Sequence, residues 1–393
     1  MLVPKSFRLL ALLISSMIVL AACAGATAPP AVVVQSVPSV ATTAPAAPST
    51  GGSQAAPTAA PSTGGSQATP TQAVPTIAAP TSEPNPTADP ITGAPGLARG
   101  TITQRPYIVM IDNHPDAYPQ TGLDHAAVVF EALAEFGVTR FMAVFAPGIT
   151  PAAKQIGPVR STRLYFAQWA MGFHALYTHA GGSPQGLELV ESTNQLINLD
   201  ALHNDGGGYF ARSSDRVAPH NLYTSSAELE RAAADRKVAD FDHPEVGFLF
   251  KTDQPAAQRP AKQQLTYFFI YKEDSAGWNY DPKTNGYLRL RRGRPARDAA
   301  SGEQLWTKNV VVLEVLEKGL PGDEKGRIEQ TVVGSGRAQL FLDGVARDAT
   351  WRKDSAAAPL SFYDDAGAEI RLNAGPVWIV ALPSLDNLKV AAQ

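Results

Sequence analysis

Cysteine is nearly missing from this chain: one residue, Cys23, stands among 393. With no second thiol there is no disulfide framework, and no cysteine chemistry anywhere beyond the head of the chain. An excess of charge of one sign is missing as well. Lys and Arg number 33 against 36 Asp and Glu, a net charge of −3, so nothing electrostatic points to nucleic acid. No nucleophile-elbow GxSxG is present, which leaves Ser161 and Ser183 without the setting of a serine hydrolase. His114, His179, His203 and His220 show no short ligand spacing, so the pattern predicts no metal and no cofactor. Asp112 and Glu131 are the acids a glycosidase reading would use, and no spacing rule supports them.

What is present begins with location. Lys5 and Arg8 precede an apolar run from Leu9 to Leu20, too short to span a bilayer comfortably, and Leu20-Ala21-Ala22-Cys23 follows. That is the pattern of a bacterial lipoprotein signal: residues 1–22 are removed and Cys23 is acylated. The acyl chains would hold the mature protein on the extracytoplasmic face of the cell membrane. Residues 23–101 are almost wholly Ala, Pro, Thr, Ser, Gly and Gln. Within them Ala47-Pro-Ser-Thr-Gly-Gly-Ser-Gln54 recurs as Ala60-Pro-Ser-Thr-Gly-Gly-Ser-Gln67. Such a segment buries too little apolar surface to offset its ordering entropy, so the composition predicts a disordered, extended tether.

The remaining chain reads as an N-terminal α/β part over residues 102–252 and a mainly β C-terminal part over 262–393. Tyr107 to Ile111 is a continuous apolar run, as in a strand buried on both faces, and it ends in the polar cluster Asp112-Asn113-His114. Ala127 to Ala134 and Thr139 to Phe145 read as a strand pair around Phe136-Gly137. Glu131 and Arg140 are the charges inside it, expected about opposite each other as a cross-strand ion pair or as the wall of a pocket.

The chain is organised around Gly157 to Ser183. Pro158 and Ser161 predict a helix start, followed by an apolar helix and a buried strand from Ala175 ending at Thr178-His179. Gly181-Gly182 and the cap Ser183-Pro184 then open a second helix, a concave place where backbone N–H groups meet anions or carbonyl oxygens. Arg160 and Arg163 sit beside helix starts, where a cation is mildly unfavourable. Either an internal carboxylate such as Glu131 or Asp112, or a bound anion, would relieve them. His220-Asn221, in the Pro-fixed turn before Leu222, joins the candidates. Ser225 and Glu228 have capping-box spacing for a helix reaching about Arg236. Downstream, short strands alternate with turn signals, and Arg289, Arg291, Arg292, Arg294 and Arg297 cluster on one hairpin as a solvated face or an anion contact.

Together, Arg105-Pro-Tyr-Ile-Val-Met-Ile-Asp-Asn-His114, Thr139-Arg-Phe-Met142, Gly157-Pro-Val-Arg-Ser161, His179-Ala-Gly-Gly-Ser183 and Ala218-Pro-His-Asn-Leu-Tyr223 resemble the YerB-like lipoprotein family. So do Tyr280-Asp-Pro282, Asn309-Val-Val-Val312, Gly334-Ser-Gly336, Trp351 and Leu372-Asn-Ala-Gly375 with Trp378. The resemblance implies a mixed α/β layered sandwich in the bacterial envelope, and no particular reaction. Two functions stay open on these residues. One is a non-catalytic module whose Arg and Gly-Gly groups bind an anionic cell-wall polymer or an envelope protein. The other is an enzyme on phosphate-linked glycopolymers, with Arg140, Arg160 and Arg163 stabilising charge and Asp112 or His179 as acid or base.

Overall fold

The computed structural model describes residues 88–95, 104–204, 208–243 and 245–392. The signal, Cys23 and nearly all of the tether lie outside the described residues, as do residues 205–207 of the triple-glycine loop.

A ten-stranded mixed sheet forms the middle layer. Its first strands are β1 (Tyr107–Asp112), β2 (Val128–Glu135) and β3 (Val138–Phe145), joined after helix α1 (Leu164–Met171) by β4 (Leu176–His179). Helix α2 (Pro184–Ser192) leads to β5 (Ile197–Asp200), and α3 (Ser226–Asp235) follows. Across the sheet the order is Ser361–Tyr363, Val345–Lys353, Gly334–Leu342, Asn309–Glu314, Val377–Leu382, β2, β3, β1, β4, β5. The C-terminal strands therefore share one sheet with the N-terminal ones, with Val377–Leu382 pairing β2 in parallel. Strands β1, β4 and β5 are parallel neighbours, so Asp112, His179 and Asp200 end on one edge of the sheet. In open sheets of this kind, ligand sites gather at the carboxyl ends of parallel strands.

Each face of the sheet is covered, which is why β1, β2 and β3 read as unbroken apolar runs. On one face Ile108, Met110, Phe130 and Val144 pack against Tyr165, Phe166, Trp169 and Ala170 of α1. On the other, Val109, Val129, Phe141 and Trp378 pack against Trp278, Tyr267 and Tyr280 of a second, six-stranded antiparallel sheet and against Leu229 and Ala233 of α3. The result is the layered α/β sandwich that the sequence implies, mainly β in its C-terminal part. Among the described residues no helix is long and apolar enough to cross a membrane.

Three local expectations need correction. Helix α1 begins two residues later than a Ser161 cap would start it: Arg163 is its N-cap residue, in extended conformation and with no side-chain cap bond. The segment before it is pinned to strands instead, because Asp112 N–H donates to Pro158 O and Arg160 N–H to Met110 O. Glu131 faces Phe141 in the β2–β3 register, and Arg140 faces Ala132, so the two charges point to opposite faces and form no pair. The arginine hairpin is also not one solvated face. Arg289 is buried against Glu131 and Arg291 stacks over Tyr118, whereas Arg292 pairs with Asp274 outside. Arg289 and Arg291, two apart, share one face of strand Gly286–Arg291, whereas Arg292 lies in the turn beyond it.

Candidate functional site

Asp112 terminates β1 and is buried. Its Oδ2 accepts the Nδ1–H of His220 at 2.7 Å, from a loop 108 residues downstream, and Oδ1 accepts the His114 N–H at 3.1 Å. Arg160 Nε lies 3.0 Å from the same Oδ2 as an ion pair, with its N–H not aimed along the contact. The rings of His114 and His220 stack at 4.6 Å. Because Asp112 holds the proton on Nδ1, the Nε2 lone pair of His220 is left for another partner.

Beside this cluster is a recess of about 330 Å³ lined by Arg160, Ser161, Gly181, Gly182, His203 and Arg212, with Leu187, Leu202 and Leu222 supplying apolar wall. No carboxylate is among its lining residues. The Arg160 side chain is 26% exposed, and its guanidinium makes no hydrogen bond to a described residue. Arg212 is steered by a 2.8 Å bond to Asn221 Oδ1, and Asn221 in turn donates to Ser213 O and Arg216 O. His203 donates Nδ1–H to Asp200 Oδ2 at 2.7 Å, and that bond to a carboxylate raises its pKa above the ordinary histidine value. The recess therefore presents two permanent cations and one histidine biased toward its charged form. Such a rim suits a phosphate or carboxylate carrying an apolar flank.

The Gly-Gly turn contributes space rather than donors. Gly181, at φ +65°, gives its N–H to Asp200 Oδ1 at 2.8 Å, and Ser183 N–H goes to Thr162 O. Ser183 Oγ caps α2 through Gly186 N–H, as its sequence position predicts. A side chain at Gly182 would run into Thr162 and Leu187, so only glycine lets the turn pass there.

Other candidates lie elsewhere. His179 is fully buried: Nδ1 lies 3.0 Å from Gly181 O and Nε2 3.0 Å from Asn198 Oδ1, and burial lowers its pKa so that it stays neutral. Arg163 and Arg140 clamp Glu135, a residue missed in the sequence because it ends β2 without any motif. Burial pushes the Glu135 carboxyl up, but the two guanidinium groups outweigh it and hold the group below the usual carboxylate range. Glu131 is on the far face, bound by Arg289, Tyr267 and Trp378. Asn113 bonds Thr139 and Gln120 on the opposite side of the strand end. So the structure brings together Asp112, His114, Arg160, Ser161, Gly181, Gly182, His220 and, through Arg212, Asn221. It separates Glu131, Arg140 and Arg163 from them, and it buries His179 beneath the Gly-Gly turn, against Gly181 O and off the recess lining. His203 and Arg212 complete the recess, with Asp200 behind His203, and the Asp200–His203 spacing of three residues is the one local signal that could have marked the histidine.

Known proteins match this arrangement over most of its length. Residues 91–239 fit the model of the N-terminal domain of a protein of unknown function, DUF3048, and residues 265–379 fit that of its C-terminal domain. "Putative lipoprotein YerB" of Bacillus subtilis (strain 168) is 30% identical over 306 residues, covering 77% of this chain and 88% of that protein. The crystal structure of YerB protein from Bacillus subtilis superposes with a TM-score of 0.67 at 28% identity, covering 77% of this chain and 99% of that one.

Proposed function

The chain belongs to the DUF3048 family, and from that premise we propose that it is a lipid-anchored lipoprotein of the extracytoplasmic membrane face, binding an anionic component of the cell envelope in the recess beside Gly181-Gly182. The anchor is supported by Leu20-Ala21-Ala22-Cys23 behind a short apolar run, and by the relative's name of lipoprotein. One observation carries the binding reading: Arg160, Arg212 and His203 line a recess with no carboxylate among its lining residues, and the Asp112 carboxylate paired with Arg160 from behind leaves the Nε–H without an aligned hydrogen bond. A guanidinium whose ion-pair partner leaves donors unaligned at the edge of an open recess can take a second, bidentate anion there. The proline-rich composition of residues 23–101 supports the same reading, because a segment of that composition would give reach away from the bilayer.

Titration of the full-length chain with phosphodiester-linked wall-polymer fragments tests this. Arg160→Ala is expected to weaken binding at least tenfold while leaving the circular dichroism spectrum unchanged. Equal binding by wild type and Arg160→Ala rejects the recess as the site.

A second reading, an enzyme on phosphate-linked glycopolymers, has a specific observation in its favour. The Asp112–His220 pair is built as an oriented base, with Arg160 adjacent for developing negative charge. Turnover of such polymers that disappears in His220→Gln would establish it, and intact polymer after prolonged incubation would dismiss it.

A further inference from the structure

The geometry points to a divalent transition-metal site formed by His114, Asp116 and His220, with Asp112 behind it. The inference stands apart from the anion reading, since the metal alone is the ligand. The three side chains each offer a ligand atom, all within 4.8 Å of one another. His114 Nδ1 lies 3.5 Å from Asp116 Oδ2 and accepts the Asp116 N–H at 3.2 Å, a bond that an ion bound at Nδ1 would replace. Two ligands each about 2.0–2.1 Å from one tetrahedral zinc ion are separated by roughly 3.3 Å, so this spacing needs only a small adjustment.

A second feature makes the cluster more than a chance gathering. His220 donates Nδ1–H to the buried carboxylate of Asp112 at 2.7 Å. That is the carboxylate–histidine arrangement that fixes the tautomer of a metal-binding imidazole and raises its basicity. The orientation of His220 is set again by its stacking on His114. All three ligands are partly or fully open to solvent, with Asp116 Oδ2 on a side chain that is 73% exposed. An ion would therefore keep coordination positions for water or an outside ligand. Two imidazoles and one carboxylate suit zinc or a neighbouring first-row divalent ion rather than calcium or magnesium.

A rival trio, His174, His243 and Glu245, sits at the other edge of the sheet. Its two rings lie face to face at 3.8 Å, and Arg105 and Lys353 already act on His174. Glu245 is its only acid. The His114–His220 trio has two, Asp116 within it and Asp112 behind, against one cation, Arg160, paired with Asp112 Oδ2 at 3.0 Å, which leaves it the better balanced of the two for a metal ion.

The test is titration of the chelator-treated full-length chain with Co²⁺, read by visible absorption, and with Zn²⁺ by calorimetry. The expected result is one tight equivalent that is lost in His114→Ala and in His220→Ala. It should weaken 10–100-fold in Asp112→Asn and persist in His243→Ala. Should a histidine variant unfold, imidazole resonances of the wild type decide: Co²⁺ must broaden those of His114 and His220 and spare His243. No binding, or binding lost only in His243→Ala, overturns the assignment.

Discussion

Both carboxylate oxygens of Glu131 lie 2.8 Å from one Arg289 nitrogen, across 158 residues of sequence. The pair joins the ten-stranded sheet to the six-stranded one in a nearly water-free place. Tyr267 and Trp378 complete the donors around the carboxylate, donating to Glu131 Oε2 at 2.8 and 3.0 Å. The Arg289 guanidinium also lies over the rings of Trp278 and Trp378. With its hydrogen bonds satisfied the group is a fixed link between layers. With one partner gone it is a stranded charge.

Arg289→Ala should accordingly cost about 3–5 kcal/mol, because it leaves Glu131 buried without its counter-charge. Replacing both residues at once, Glu131→Gln with Arg289→Met, should cost clearly less than the single change. Urea unfolding followed by tryptophan fluorescence measures both. A single-variant loss below about 1 kcal/mol would show that water reaches the pair.

A half-buried carboxyl and a buried ammonium should shape stability against pH in opposite directions. Burial pushes the Glu317 carboxyl up to about 7, so the folded state holds its proton while the unfolded chain has lost it. Stability from this group is present at low pH and falls between about 4.5 and 7. Burial pulls the Lys353 ammonium down to about 7, so between pH 7 and 10 the unfolded chain binds the extra proton. Stability from this group therefore rises over that window. The two slopes meet in a shallow minimum near pH 7. Lys353→Met should stabilise the protein at pH 7 by on the order of 2 kcal/mol and flatten the alkaline limb. Thermal melts across pH 5 to 9.5 check this, and a limb unchanged by Lys353→Met would refute the cause given.

How much of this was legible in sequence depends on whether the cause was local. β1, the Phe136-Gly137 turn, the Ser183 and Ser225 caps and Val377–Leu382 all follow from residues within a few positions. Strand Val345–Lys353 was missed because its outward positions are polar and charged and leave only Ala349, Trp351 and Lys353 buried along it. The site divided the same way. Gly181-Gly182 and Arg160 could be nominated from their neighbours, and Asp112 was among the carboxylates named for Arg160 and does pair with it, but Glu135 as the partner of Arg163 and Arg140 could not. Register alone separates Glu131 from Arg140, and only the fold brings His220 to Asp112. Periodicity fixes the face of a side chain only when the register is known.

Gly157 links backbone conformation to the recess. It sits at φ +146°, where a Cβ would lie 2.9 Å from Leu222 O, Tyr223 and Val159 N. The next residues hang from it: Val159 N–H bonds Leu222 O at 2.6 Å, and Arg160 N–H bonds Met110 O. Gly157→Ala should destabilise the fold by about 1–3 kcal/mol and weaken phosphodiester binding by displacing Arg160. An alanine variant with wild-type melting temperature and affinity would show that the loop adapts freely.

The recess should also lose affinity as pH rises, and a single histidine should account for it. Arg160 and Arg212 stay charged throughout, and His179 is kept neutral by burial, so among these groups only His203 changes charge near neutrality. Its Nδ1–H is held by Asp200 Oδ2, which raises its pKa above 6.5. The sign follows: the cation is present at low pH and persists past the ordinary histidine midpoint, then disappears as pH climbs through the raised one. A phosphodiester probe is the right ligand, because its own charge is constant over this range. Binding should fall about two- to five-fold from pH 6 to 9, the scale of one solvent-exposed ion pair, and the fall should shrink at high salt. His203→Gln should bind at the high-pH level at every pH. Asp200→Asn should move the midpoint downward rather than remove it, which distinguishes a raised histidine from a pH-dependent change in the fold. A wild-type profile that stays flat would mean that the ligand does not touch this side of the recess.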